Sequence, residues 1–149
     1  MEGVEHNNIQ QLSYEVAVYR EQLRLLQKEI ERINSTTYDL SNASKTADNL
    51  KSEDILVQIG GGSYVRANVY SVKILVPVGA NYLIEMDNKE AALEIKKRID
   101  ATKNAIVKLN EEFEKIATRL QESGSMLRNV QMQQSLNKRV NENIGEDYV

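Results

Sequence analysis

Two long stretches of this sequence repeat apolar residues at alternating spacings of three and four, and that repeat decides most of what the chain can become. In the first, Ile9, Val16, Leu23 and Ile30 recur every seven residues, and Leu12, Tyr19, Leu26, Ile33 and Leu40 fill the second position. The series runs on through Thr37, Ser44 and Ala47. In the second, the seam is Ala92, Ile95, Ile99, Thr102, Ile106, Leu109, Phe113, Ile116, Leu120, Ser123, Leu127 and Val130. Threes and fours kept up this long put the apolar side chains in one narrow stripe, the seam of a coiled coil. The spacing predicts helix over 9–50 and again over 87–140, with polar tails over 1–8 and 141–149. Asp87 and Glu90 stand as a capping box at the start of the second helix. Past Val130 the pattern slips to Leu136, Val140 and Ile144.

Either stripe alone would face water, so the two helices are expected to close on each other as an antiparallel pair. A register in which facing residue numbers sum to 139 sets Ala47 against Ala92, Leu40 against Ile99, Thr37 against Thr102, Ile33 against Ile106 and Leu26 against Phe113. It matches weak layers with weak ones and apolar with apolar. Ser123-Gly124-Ser125 is a soft stretch, because glycine inside a helix costs about 1 kcal/mol against alanine.

Between the helices, residues 54–86 read differently. Four β-branched and aromatic runs are separated by Gly60-Gly61-Gly62 and Gly79-Ala80-Asn81, which is the chemistry of two hairpins. Ile55, Val57 and Ile59 share a face, as do Val65, Ala67 and Val69, then Ile74, Val76 and Val78, then Tyr82, Ile84 and Met86. The opposite face holds Leu56, Tyr64, Tyr70, Leu75 and Leu83, so both faces need cover. A two-helix coil can touch only one end of the sheet, and small sheets with open edges are marginal alone. Other subunits are the expected cover. The residues expected to mediate assembly are Ile55, Val57, Val65, Val69, Ile74, Val76, Tyr82 and Ile84. The fold class is therefore α+β, a single elongated protomer.

Composition narrows the function classes. The net charge is −3 over 149 residues, and this mild acidity argues against binding a phosphate backbone, so no nucleic-acid partner is expected. No cysteine is present, which removes disulfides and thiolate metal ligands. Glu2 and Glu5 follow Met1 where a signal peptide would carry basic and then apolar residues, and no run approaches the length of a membrane span. The expectation is a cytoplasmic protein with no membrane partner. No Lys-Ser/Thr follows the glycine triplet and no helix begins there, so it reads as a turn and not a nucleotide loop. His6, the only histidine, sits in the polar tail, and neither a metal site nor a cofactor is expected. Titratable groups do not converge as an enzyme requires.

Arg20, Arg24, Lys28 and Arg32 form a basic strip, but Glu21, Glu29 and Glu31 interleave with it, as on a solvated helix. The free end of the helix pair is a better candidate site. Ile9, Leu12 and Val16 on the first helix oppose Met126, Leu127, Val130, Met132 and Leu136 on the second, and methionine adapts to irregular apolar surfaces. The plain alternative is that Leu12 and Leu127 are the last layers of the coil.

The order helix, two hairpins, helix resembles prefoldin, and within it the α-class subunit. Ile74-Leu-Val-Pro-Val-Gly79-Ala-Asn-Tyr-Leu-Ile-Glu85, followed by a helix reaching Ile95-Lys-Lys-Arg-Ile99, carries the likeness, with Leu56-Val-Gln-Ile-Gly60 and Tyr64-Val-Arg-Ala67 as the first hairpin. Gln58 departs from a common proline and Asn81 from a common second glycine. The resemblance implies a hexamer of two α-class and four β-class subunits whose hairpins form a β-barrel platform. It also implies ATP-independent holding of unfolded client proteins at the coil tips and their transfer to a group II chaperonin. A coiled-coil adaptor with one specific partner is the competing class. It would need no adaptable apolar tip.

Overall fold

The computed structural model describes residues 2–146, with side chains from 7 to 140. The element order is α1 (Glu2–Asn49), β1 (Asp54–Gly60), β2 (Ser63–Asn68), β3 (Ile74–Gly79), β4 (Tyr82–Met86) and α2 (Asn88–Glu146). Both helices pass the bounds set by their apolar stripes. α1 starts at Glu2 ahead of Ile9, and α2 continues to Glu146 through the stretch expected as a tail. An apolar stripe marks where a helix is buried, not where its backbone hydrogen bonding ends. The side chains of His6 and Ile144 lie outside the described residues.

Contacts divide the chain into two units, one of Arg32–Ile106 and one of the helix segments up to Glu31 and from Val107 onward. In the second of these, the expected stripe is the protected one. Leu12, Val16, Ile30, Ile116 and Ser123 are buried, and Ile9, Leu23, Leu26, Leu109, Phe113, Leu127 and Val130 are half-buried. The Ser123 hydroxyl donates to the Glu15 carboxylate at 3.4 Å, linking the helices through a polar layer. Past Val130 the protected line continues to Gln134, while Leu136 is exposed. The seam keeps its helical spacing and loses its apolar character, which is why the sequence pattern slips there.

In the Arg32–Ile106 unit the hydroxyls of Thr37 and Thr102 are 2.8 Å apart, the pair that the sum of 139 sets face to face. Thr102 Oγ1 also donates to the Ile99 carbonyl at 2.8 Å, so the polar layer is satisfied where it is partly buried. Ala47, Ala92, Ile95 and Ile99 form the core, with Leu40 and Ile74 packed against it. Small alanines on both helices allow close approach at the end that meets the hairpins. Lys96 Nζ reaches the Asp48 carboxylate at 2.9 Å, and Lys89 Nζ reaches the Asp48 carbonyl at 3.3 Å, so two cations serve the carboxyl end of α1.

β1 pairs with β2 and β3 with β4, each antiparallel, as separate two-stranded sheets. The β1–β2 turn places Gly60, Gly61 and Gly62 at φ of 107°, 57° and 75°, a left-handed run that side chains resist. The β3–β4 turn makes a similar reversal with Ala80 at φ 47° and Asn81 at φ 62°. Asparagine tolerates that region, which accounts for Asn81 standing where glycine is common; alanine tolerates it less well.

Candidate functional site

The two hairpins meet the helices differently. In β3, Val76 is 2% exposed and Ile74 packs on the helix core. The Arg98 guanidinium of α2 donates to the Pro77 carbonyl and lies 3.9 Å from the Glu94 carboxylate. Proline has no N–H to give a neighbouring strand, so an arginine on its carbonyl fits a strand edge turned to a helix. Of the residues expected to mediate assembly, Val76 is closed off inside the chain, and Ile74 is half-buried against the chain's own helices. Both faces of the segment were apolar, and their pattern alone did not say which would be taken by the coil.

Of the other residues expected to mediate assembly, Ile55 and Val69 are half-buried, and Val57, Val65, Tyr82 and Ile84 are exposed. The opposite face is more open still. Leu56 is 66% exposed, and Tyr64, Leu75 and Leu83 are also exposed. The strand register explains this grouping, because Pro77 opposes Leu83 and Leu75 opposes Glu85, so these side chains share one face of the second hairpin. Leu56 and Leu75 were legible as a second apolar face, but nothing in the alternation ranked them above the first. A groove of about 500 Å³ runs beside β3, lined by Leu40, Ala43, Leu50, Ile74, Pro77 and Arg98.

At the end of the helix pair, Leu12 and Val16 are buried, and Ile9, Leu127 and Val130 are half-buried, so these close the coil. Met126, Met132 and Leu136 are exposed. Val140, outside the expected set, is exposed as well and falls four residues after Leu136.

Along α1, Arg24 Nε donates to the Glu21 carboxylate at 2.7 Å. That bond first, and then the positive charges of Arg24 and Lys28, hold the Glu21 carboxyl below the usual glutamate range. Both side chains are about half exposed, at 50% and 55%, so this is a surface contact. Among the described residues no three His, Cys, Asp or Glu side chains gather to hold a metal. No helix among them is long and apolar enough to cross a membrane.

The comparisons with known proteins agree on one family in which two long helices are joined through two hairpins. The family model described as Prefoldin subunit matches residues 19–133. The prefoldin subunit alpha of Methanococcus aeolicus is 30% identical over 121 residues, covering 78% of this chain and 84% of that protein. The prefoldin subunit alpha of Pyrococcus horikoshii is 27% identical over 137 residues, covering 88% of this chain and 93% of that protein. A solved structure, filamentous PFD from Methanocaldococcus jannaschii, superposes with a TM-score of 0.63 at 23% identity, covering 73% of this chain and 94% of that one. The chain belongs to the prefoldin subunit family, a family of chaperone subunits. The relatives named above stand on its alpha side.

Proposed function

We propose that this chain is the α-class subunit of a hetero-hexameric holding chaperone of the cytoplasm. Two copies combine with four β-class subunits through their hairpins in a β-barrel platform. The free ends of the helix pairs hold unfolded proteins without ATP and pass them to a group II chaperonin. The observation that carries this reading is the uncovered apolar hairpin surface. Leu56, Ile59, Tyr64, Leu75 and Leu83 crowd onto two small sheets with open edges, a combination that marks an interaction surface.

The holding step follows from what unfolded proteins have in common, which is exposed apolar side chains and no shared sequence. Met126, Met132 and Leu136 offer apolar groups that the coil leaves accessible. Each side chain covered by client contributes at most ~1.5–3 kcal/mol. One arm is then a weak holder, several arms add through effective concentration, and release needs no nucleotide.

Native mass spectrometry with and without a co-expressed β-class partner tests assembly, and a chain that stays monomeric with the partner present overturns it. Light scattering of a denatured client diluted into intact protein, or into protein lacking residues 1–12 and 127–149, tests holding. The trimmed protein is expected to assemble and to lose protection. Full protection by the trimmed form moves client binding to the platform.

A further inference from the structure

The end of α2 combines its exposed apolar side chains with an unusual distribution of charge. The whole chain carries 22 acidic residues against 19 basic ones, yet no carboxylate occurs between Glu122 and Glu142. In that interval stand Arg128, Lys138 and Arg139. On α1, the described side chains from 7 to 20 include one acidic residue, Glu15, which is half-buried and accepts the Ser123 hydroxyl. Between Glu122 and Glu142 the surface of α2 is therefore basic in a protein that is acidic overall.

Helical spacing brings these charges onto the apolar row. Arg128, Met132, Leu136 and Val140 follow at intervals of four, and Arg139 lies seven residues after Met132. Intervals of four and seven keep side chains on one face of a helix. Met132 is 62% exposed, Leu136 52% and Val140 56%. Arg128 Nη2 donates to the Ser125 hydroxyl at 3.2 Å, a neutral partner that leaves its charge uncompensated. The result is an apolar row with a guanidinium on its face toward either end.

We propose that this face takes extended, apolar stretches of unfolded polypeptide flanked by carboxylates. Their apolar side chains cover Met132 and Leu136, and their acidic groups meet Arg128 and Arg139. The inference rests on the reading of the helix end as the client-holding surface, and adds to it a preference among clients. Exposed ion pairs contribute modestly, so two of them give a preference of about three- to tenfold. It acts over a Debye length of about 10 Å at 0.1 M salt and about 3 Å at 1 M.

The test uses the full-length chain in whatever oligomeric state it adopts. The probes are two fluorescein-labelled disordered peptides of the same Leu, Phe and Val content, one with Glu and one with Lys at the spacer positions. Anisotropy at low salt is expected to show the Glu peptide binding about three- to tenfold tighter. The difference should disappear in the double variant Arg128→Gln, Arg139→Gln, whose exposed sites leave the helix signal intact, and again near 1 M salt. Met132→Ser with Leu136→Ser should weaken both peptides. Equal binding of the two peptides, still weakened by the serine variant, overturns the charge preference and leaves the holding surface standing. No binding of either peptide, with client protection unaffected by the serine variant, overturns the holding surface itself. Co-sedimentation with phosphatidylserine vesicles, abolished by the arginine variant in a protein that shows no peptide preference, overturns the proposal in favour of an anionic lipid surface.

Discussion

The two hairpins are built from the same kinds of residue, and they end in opposite situations. The second lays β3 on the helices, with Val76 buried, Ile74 in contact with the alanine-rich core and Arg98 on the Pro77 carbonyl. The first closes on itself. Asn68 Nδ2 donates to Asp54 at 2.8 Å, the Ser52 hydroxyl to the Val69 carbonyl at 2.7 Å and the Val69 N–H to the Glu53 carbonyl at 3.0 Å. Its strands nevertheless expose Leu56, Val57, Ile59, Tyr64 and Val65. One hairpin is part of the protomer's own core, and the other gains little from its own chain. An apolar strand can therefore serve folding or association, and burial within the single chain tells which.

The largest expected difference comes from placing a charge in each hairpin. Val76→Asp puts a carboxylate in a site that is 2% exposed. It should cost several kcal/mol of the protomer's own stability and lower the unfolding midpoint even in dilute protein. Leu56→Asp touches a side chain already in water. It should leave protomer unfolding within about 0.5 kcal/mol while releasing subunits from the oligomer. Circular dichroism melts with native mass spectrometry separate the two. If Val76→Asp melts as wild type, β3 is not part of the core and the contrast between hairpins fails.

A smaller effect is expected at the link between α2 and the second hairpin. Arg98→Ala removes a charged donor from the Pro77 carbonyl and should cost about 1.5–3 kcal/mol, a range typical of bonds to charged groups. Proton exchange in β3 and β4 should speed up, with β1 and β2 unchanged. Equal acceleration in both hairpins would show that they are held as one body.

How far these distinctions were readable in advance differs by element. The helix seam was legible residue by residue, because helical spacing admits one buried stripe. The Thr37–Thr102 layer could be paired from numbering alone, and the two hydroxyls do meet. The strands were legible as strands for the same reason of periodicity, but their inward face was not. Ile74 and Val76 alternate with Leu75, and either set is apolar enough to bury. What decides is the docking of β3 on Ala47, Ala92 and Ile95, a tertiary fact. The end of the seam was misleading in another way. Leu136 extends the apolar pattern, while Gln134 extends the geometry, and the helix followed the geometry.

The smallest expected effect tests the turns, where the hairpins use different residues for the same backbone reversal. Gly61 sits at φ 57° and Ala80 at φ 47°. An alanine held in the left-handed region costs roughly 1–2 kcal/mol, and glycine removes that cost but loses about 0.5–1 kcal/mol more chain entropy on folding. Ala80→Gly should therefore stabilise by about 0.5 kcal/mol, and Gly61→Ala should destabilise by a similar or slightly larger amount. A new methyl at Gly61 meets nothing within 4 Å, so any loss is backbone strain and not a clash. The two changes should be visible in different measurements. The second hairpin is docked on the core, so Ala80→Gly should raise the global unfolding midpoint by a degree or a few. The first hairpin opens locally without disturbing that core, so Gly61→Ala should leave the midpoint unchanged and speed amide exchange in β1 and β2. If Gly61→Ala lowers the global midpoint of the isolated protomer by as much as Ala80→Gly raises it, the first hairpin is as much a part of the folding unit as the second. The division between a folding hairpin and an associating one would then be lost.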